Sequence, residues 1–103
     1  MFLLLVEMHA QSEMAAELEN VLSGLLTIAP DEPGTLIYAV HRRQDDAQAF
    51  LLYELYRDRA AWETHCATAP VQDAMRQFET LLTAPPRLVF CDTVGLAGLA
   101  LPG

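Results

Sequence analysis

The apolar residues change period several times along this chain, and each change marks an element. From Phe2 to His9 (FLLLVEMH) both alternation sets carry large apolar side chains, the pattern of a strand covered on two faces. The period then lengthens. Met14, Leu18, Val21, Leu22 and Leu25 form one helical stripe, which Ser12 is placed to cap and Pro30 to end. Asp31 to Gly34 (DEPG) predicts a turn, with Pro33 presetting the backbone and Gly34 supplying a permissive position, and Thr35 to Arg42 predicts a second strand. The polar run Arg43 to Gln48, with Asp45 and Asp46, suits a hairpin loop, so Phe50 to Arg57 should return antiparallel to that strand. Asp58 can cap a short helix running through Cys66. Pro70 opens another, with Val71, Met75, Phe78 and Leu82 at helical spacing, and Pro85 and Pro86 stop it. Arg87 to Val94 predicts a last strand, and residues 95–103 (GLAGLALPG) read as an irregular tail.

The order β-α-β-β-α-β in 103 residues predicts one domain of the α+β class. It is the ferredoxin-like arrangement: a four-stranded antiparallel sheet with the first and third strands in the middle and the helices on one face. Sorting the strands by alternation gives the helices Phe2, Leu4, Val6 and Met8, then Leu36, Tyr38 and Val40, then Leu51, Tyr53 and Leu55. The opposite face then holds Leu3, Leu5, Glu7 and His9, Ile37 and His41, and Phe50, Leu52, Glu54 and Tyr56. A face carrying Leu3, Leu5, Phe50 and Leu52 is too apolar to leave in water, and a second copy of the sheet is the simplest cover. A hairpin register that pairs Arg42 with Ala49 would set His41 beside Phe50.

Hydrophobic residues make up 52% of the chain against 19% charged. With a mean hydropathy of +0.20, this excludes a disordered chain. No run approaches the ~18 apolar residues of a membrane span, and the opening MFLLLVEMHA has neither a basic start nor a small-residue cleavage site, so the cytoplasm is the default expectation. Fourteen acidic residues face six basic ones, all Arg, for a net charge of -8. That field repels nucleic acid and anionic membranes. Cys66 and Cys91 lie far apart without metal-ligand spacing, which predicts buried reduced thiols and no metal site. Neither a glycine-rich nucleotide loop, a nucleophile elbow nor an HExxH zinc motif occurs.

Glu54 is the most informative candidate, because it interrupts an apolar central strand where a carboxylate is costly unless paired or protonated. Burial would raise its pKa toward the range of a general acid or base; a structural ion pair with Arg57 or another Arg is the plainer alternative. His9 and His41 sit at strand ends, where a hairpin-bonded or solvated imidazole is the ordinary outcome. Trp62 and His65, three residues apart on a helix, either close a pocket mouth or pack on each other. Tyr38, Tyr53 and Tyr56 are potential hydrogen-bond donors that equally suit a core.

The segment EPGTLIYAVHRRQDDAQAFLLYELYRDRAAWETH, from Glu32 to His65, resembles the antibiotic biosynthesis monooxygenase superfamily of dimeric α+β barrels. The resemblance rests on Glu32-Pro33-Gly34 with Tyr38 following, the Asp45-Asp46 loop, Phe50, Glu54 with an aromatic two residues on, and Ala61 and His65 in an A-x-x-x-H segment. The first strand, the long helix and the PPR-led last strand also match the layout. Tyr56 stands where the family usually has Trp, and the first strand lacks the Asn of the haem-degrading and polyketide-oxidising branches. The resemblance implies a homodimer with sheets packed face to face and a pocket in each protomer between sheet and helices. Members include quinol monooxygenases that use dioxygen without flavin or metal, haem-degrading enzymes and an isomerase of a signalling molecule.

On this basis the chain is expected to be a cofactor-independent monooxygenase acting with dioxygen on a small hydroquinone or phenolic, polyketide-like molecule. Glu54 or His41 would be the base, with His65 and Tyr38 as positioning donors. Phe50, Leu52 and Trp62 would form walls, and His9 and Tyr56 would line the substrate site. An isomerase using the same His and Glu without oxygen, or a non-catalytic ligand-binding dimer, are the alternatives.

Overall fold

The computed structural model describes residues 1–98. Its elements are β1 (Phe2–His9), α1 (Ala15–Ile28), a 3-10 turn (Ala29–Asp31), β2 (Thr35–Arg42), β3 (Ala49–Tyr56), α2 (Arg59–Ala67), α3 (Ala69–Leu81) and β4 (Arg87–Asp92). The sheet is antiparallel throughout, in the order β2-β3-β1-β4, so the ferredoxin-like α+β arrangement is present with β1 and β3 central. β1 and β2 span the expected residues; β3 begins and ends one residue early, and β4 stops two residues before Val94. The end of the expected tail, residues 99–103, lies outside the described residues. Among the described residues no helix is long and apolar enough to cross a membrane.

One apolar core lies between the sheet and the helices. Leu4, Val6 and Met8 from β1 and Phe50 and Leu52 from β3 meet Leu18, Leu22 and Leu25 of α1 and Val71, Ala74, Phe78 and Leu81 of α3. On α3 the row that faces the sheet runs i, i+3, i+7, i+10 from Val71. Ala74 is therefore buried while the expected Met75 is half exposed. Ser12 does not cap α1. Glu13 takes a left-handed backbone (φ 68), and a tight turn sets Met14 at the helix start with no side-chain cap. Asp58 does cap α2, its carboxylate accepting the Ala61 N–H at 2.9 Å.

The main departure from the alternation argument is the phase of β3. Arg42 pairs with Phe50 and His41 with Leu51, one residue away from the expected register. The six-residue loop Arg43 to Gln48 closes around Asp46, whose side chain accepts the Gln48 N–H at 3.0 Å, and Arg43 N–H bonds the Ala49 carbonyl at 2.9 Å. A one-residue slip exchanges the two faces of a strand. Phe50, Leu52, Glu54 and Tyr56 thus lie with Met8, Val6, Leu4 and Phe2 under the helices. Leu51, Tyr53 and Leu55 lie on the opposite face, and Leu36 is exposed next to an irregularity in β2.

The outer face is still apolar, with a different roster: Leu5, Leu51 and Val89 are exposed there, with Leu3 and Tyr53 half-buried. Phe50 belongs to the core, almost wholly buried and with the Arg42 guanidinium 5.4 Å from its ring centre. Truncating so buried an aromatic removes its packing and leaves a cavity, so Phe50→Ala should destabilise the protein by about 3–5 kcal/mol, read from the shift in urea unfolding.

Candidate functional site

Strand pairing assembles the polar centre. Glu54 lies directly across from Leu4 on one side and Tyr38 on the other, so the central carboxylate and a phenol stand side by side under the helices. Tyr56, two residues along on the same face, donates its hydroxyl to Glu54 Oε1 at 2.5 Å. From α2 the imidazole of His65 comes down onto this row. Its Nδ1 is 2.8 Å from Glu32 Oε1, and its Nε2 is 3.9 Å from Glu54 Oε1. The ring is flanked by Tyr38 and Tyr56, with centroids 5.4 and 5.6 Å away. Glu54 and His65 are only 4% and 5% exposed, so the inner part of this carboxylate–imidazole–carboxylate row is held out of water, while Glu32 at its outer end is half-buried.

Beside it lies a cavity of about 210 Å³ with walls including Val6, Leu52, Trp62 and Phe78. Tyr38, Glu54, His65 and Cys66 supply its polar lining. An apolar chamber with a few convergent polar groups is the usual form of a small-molecule site. Trp62 packs edge-on to Phe90 at 5.1 Å and against Phe2 at 5.7 Å, so it both packs and forms wall. Cys66 is a free, half-buried thiol, more open than the sequence suggested.

Burial raises the Glu54 pKa above the ordinary glutamate value; the Tyr56 hydrogen bond and His65 oppose the rise, and Glu32 adds to it. The Tyr38 and Tyr56 hydroxyls are pushed well above the usual phenol range, by burial first and then by the Glu54 charge. Both therefore stay protonated: Tyr56 donates to Glu54, and Tyr38 keeps a hydroxyl proton at the cavity wall. Burial, with Glu54 and Glu32 nearby, pushes the Cys66 thiol up to about 11, which leaves it a poor nucleophile. When Glu32 accepts Nδ1–H, the Nε2 lone pair of His65 is free to take a proton.

Glu32 is not a site candidate from the sequence, where it reads as part of a turn and of the Glu32-Pro33-Gly34 motif that carries the family resemblance. The turn is what places it: the Glu32 carbonyl accepts the Thr35 N–H at 3.0 Å across Pro33-Gly34. Gly34 does not adopt a left-handed backbone. Its role is contact, because a Cβ there would come within 2.3 Å of Ala61 Cβ on α2. The Gly34 carbonyl also accepts the Arg57 N–H at 2.9 Å. The absent side chain thus lets the turn lie against the helix that carries His65. An acidic residue beside a Pro-Gly turn that opens a strand is the available sequence signal.

Other candidates fall elsewhere. His41 pairs with Leu51 on the outer face, away from Glu54, because of the register slip. His9 is also on that face, its Nε2 3.0 Å from Asp46 of the hairpin. The Gln48 N–H, with help from His9, holds the Asp46 carboxyl below its usual range. Among the described residues neither Phe50 nor Tyr56 lines the cavity, Tyr56 lying buried behind Glu54, and Glu54 has no Arg partner: Arg57 faces Asp58 at 3.7 Å. Among the described residues no group of three His, Cys, Asp or Glu is placed to hold a metal ion.

The family model for antibiotic biosynthesis monooxygenase matches residues 1–77, and the chain belongs to that family. Its fold is close to that of PA3566 from Pseudomonas aeruginosa, with a TM-score of 0.85 and 28% identity over 91% of this chain and 94% of that one. It is equally close to Rv0793 from Mycobacterium tuberculosis, with a TM-score of 0.88 and 21% identity over 94% and 98% of the two chains. A crystal structure of an antibiotic biosynthesis monooxygenase superposes with a TM-score of 0.86 and 23% identity, covering 92% of this chain and all of that one. No curated protein matches the chain.

Two outcomes follow from this geometry. Gly34→Ala should lower stability by about 1–3 kcal/mol through overlap with Ala61, and adding Ala61→Gly should recover part of the loss in urea unfolding. Between the ordinary glutamate value of 4.5 and its own raised midpoint, the folded chain keeps a proton on Glu54 that the unfolded chain has released, so the stability contributed by this group falls as pH rises through that window. Glu54→Gln should flatten that decline when urea midpoints are followed from below this window to neutrality.

Proposed function

We propose that the protein is a monooxygenase that oxidises a small phenol, naphthol or hydroquinone with dioxygen, using His65 as the base. The observation that supports this is the Glu32–His65–Glu54 row at the polar side of an apolar cavity. Glu32 orients the imidazole through Nδ1–H, and Nε2 takes the phenolic proton. The imidazolium then lies between two carboxylates, and the delocalised anion in the cavity is met by the protonated Tyr38 hydroxyl. That anion passes one electron to dioxygen, the radical pair forms a carbon–oxygen bond, and the hydroperoxide eliminates water to leave a carbonyl. One oxygen atom stays in the product, the other leaves as water, and all four electrons come from the substrate. The resident side chains supply only proton transfer and charge compensation.

The outer sheet face extends the same reading. Leu5, Leu51 and Val89, exposed together, support a homodimer in which a second copy covers them.

Oxygen consumption with one- and two-ring hydroquinones and naphthols tests the activity. His65→Ala should lower kcat/KM by roughly 10²–10⁴. Glu32→Gln should lower kcat by about tenfold or more with a smaller effect on KM. His41→Ala, on the opposite face, should stay within about twofold of the parent. Uptake no faster than background contradicts the proposal, and turnover that persists without oxygen transfers the site to isomerase chemistry.

A further inference from the structure

The cavity does not stop at the edge of the helices. It shares Met75, Phe78 and Pro86 with a surface groove of about 460 Å³ that continues along Leu82, Thr83, Ala84 and Pro85. Around their junction apolar surface is left in water: Met75 is 50% and Leu88 45% exposed, and both line the cavity. The groove has one charged side chain, Glu79. Among the described residues the two buried charged side chains, Glu54 and His65, both line the cavity.

We propose that the groove holds an aliphatic tail on the substrate, which makes the substrate class an alkyl- or alkenyl-substituted phenol or hydroquinone. This rests on the reading of the cavity as a phenol site. The polar row takes the hydroxyl of the head, since a phenolic oxygen left among the apolar walls would lose its hydrogen bonds. A cavity of 210 Å³, below the usual 300–1,000 Å³ of small-molecule sites, is filled by one or two rings. A substituent on the far side of the ring from the hydroxyl then leaves past Met75 and Pro86 into the groove. Apolar walls reward a hydrocarbon there, and the carboxylate of Glu79 disfavours an anionic substituent.

Calorimetric titration of the full chain with para-methyl-, para-propyl- and para-hexylphenol tests this without requiring turnover. Affinity should rise about two- to fourfold per added methylene. Ala84→Trp, an exposed position that would plug the groove, should abolish the dependence on tail length. So should Met75→Glu, which puts a charge at the junction. Affinity that is independent of the tail, or a dependence that both variants leave intact, overturns the groove assignment. If short naphthols still consume oxygen in that case, only the tail site has failed. Tail-dependent binding lost in both variants, with no oxygen uptake from any phenol, keeps the tail site and removes the oxygenation reading.

Discussion

A carboxylate in the middle of an apolar sheet face is the constraint on which the rest of this molecule turns. Left alone among Leu4, Leu52 and the helices, the Glu54 charge would cost several kcal/mol, so it must be neutralised, hydrogen-bonded or paired. Its partners come from separate parts of the chain: Tyr56 from the same strand, His65 from α2 and, through His65, Glu32 from the turn before β2. The strand register, the cap at Asp58 and the close contact at Gly34 all serve to bring those groups into one row. The fold and the chemistry are therefore specified by the same contacts.

The two faces of the sheet have different tasks. The covered face carries the core and, toward α2, a row of ionisable side chains opening onto a chamber. The outer face has no buried ionisable group among the described residues and offers aliphatic surface, with His9 tied into the hairpin and Glu7 facing Arg87 at 3.2 Å. Histidines on the two faces are chemically alike and differ only in surroundings. His65 has the partly buried Glu32 carboxylate 2.8 Å from one nitrogen and the buried Glu54 3.9 Å from the other, whereas His41 faces water beside Leu51.

Strand and helix order was legible because turn residues and changes of period are local signals: β1 and β2 begin and end where the alternation changes, and Asp58 caps where it should. The face of β3 was not legible. Both of its alternation sets are apolar, Leu51-Tyr53-Leu55 against Phe50-Leu52, so hydrophobicity cannot choose between them, and the choice passes to hairpin register, which a six-residue loop leaves open by one step. That single step moved Glu54 from the outer face to the inner one and parted it from His41. Glu54, His65, Tyr38, Leu52 and Trp62 were nonetheless singled out from the sequence and meet at one cavity. Glu32 escaped because its contact with His65 spans 33 positions and depends on the missing side chain of Gly34.

The most direct test of the central claim is a carbon-detected NMR titration of the Glu54 side-chain carboxyl in the folded protein. The structure requires a midpoint above the ordinary glutamate value of 4.5, rising further in Tyr56→Phe, where the hydrogen bond that favours the charged form is gone. A midpoint at or below the ordinary value, unmoved by that substitution, would mean that Glu54 stands in water, and the buried row built around it would not exist.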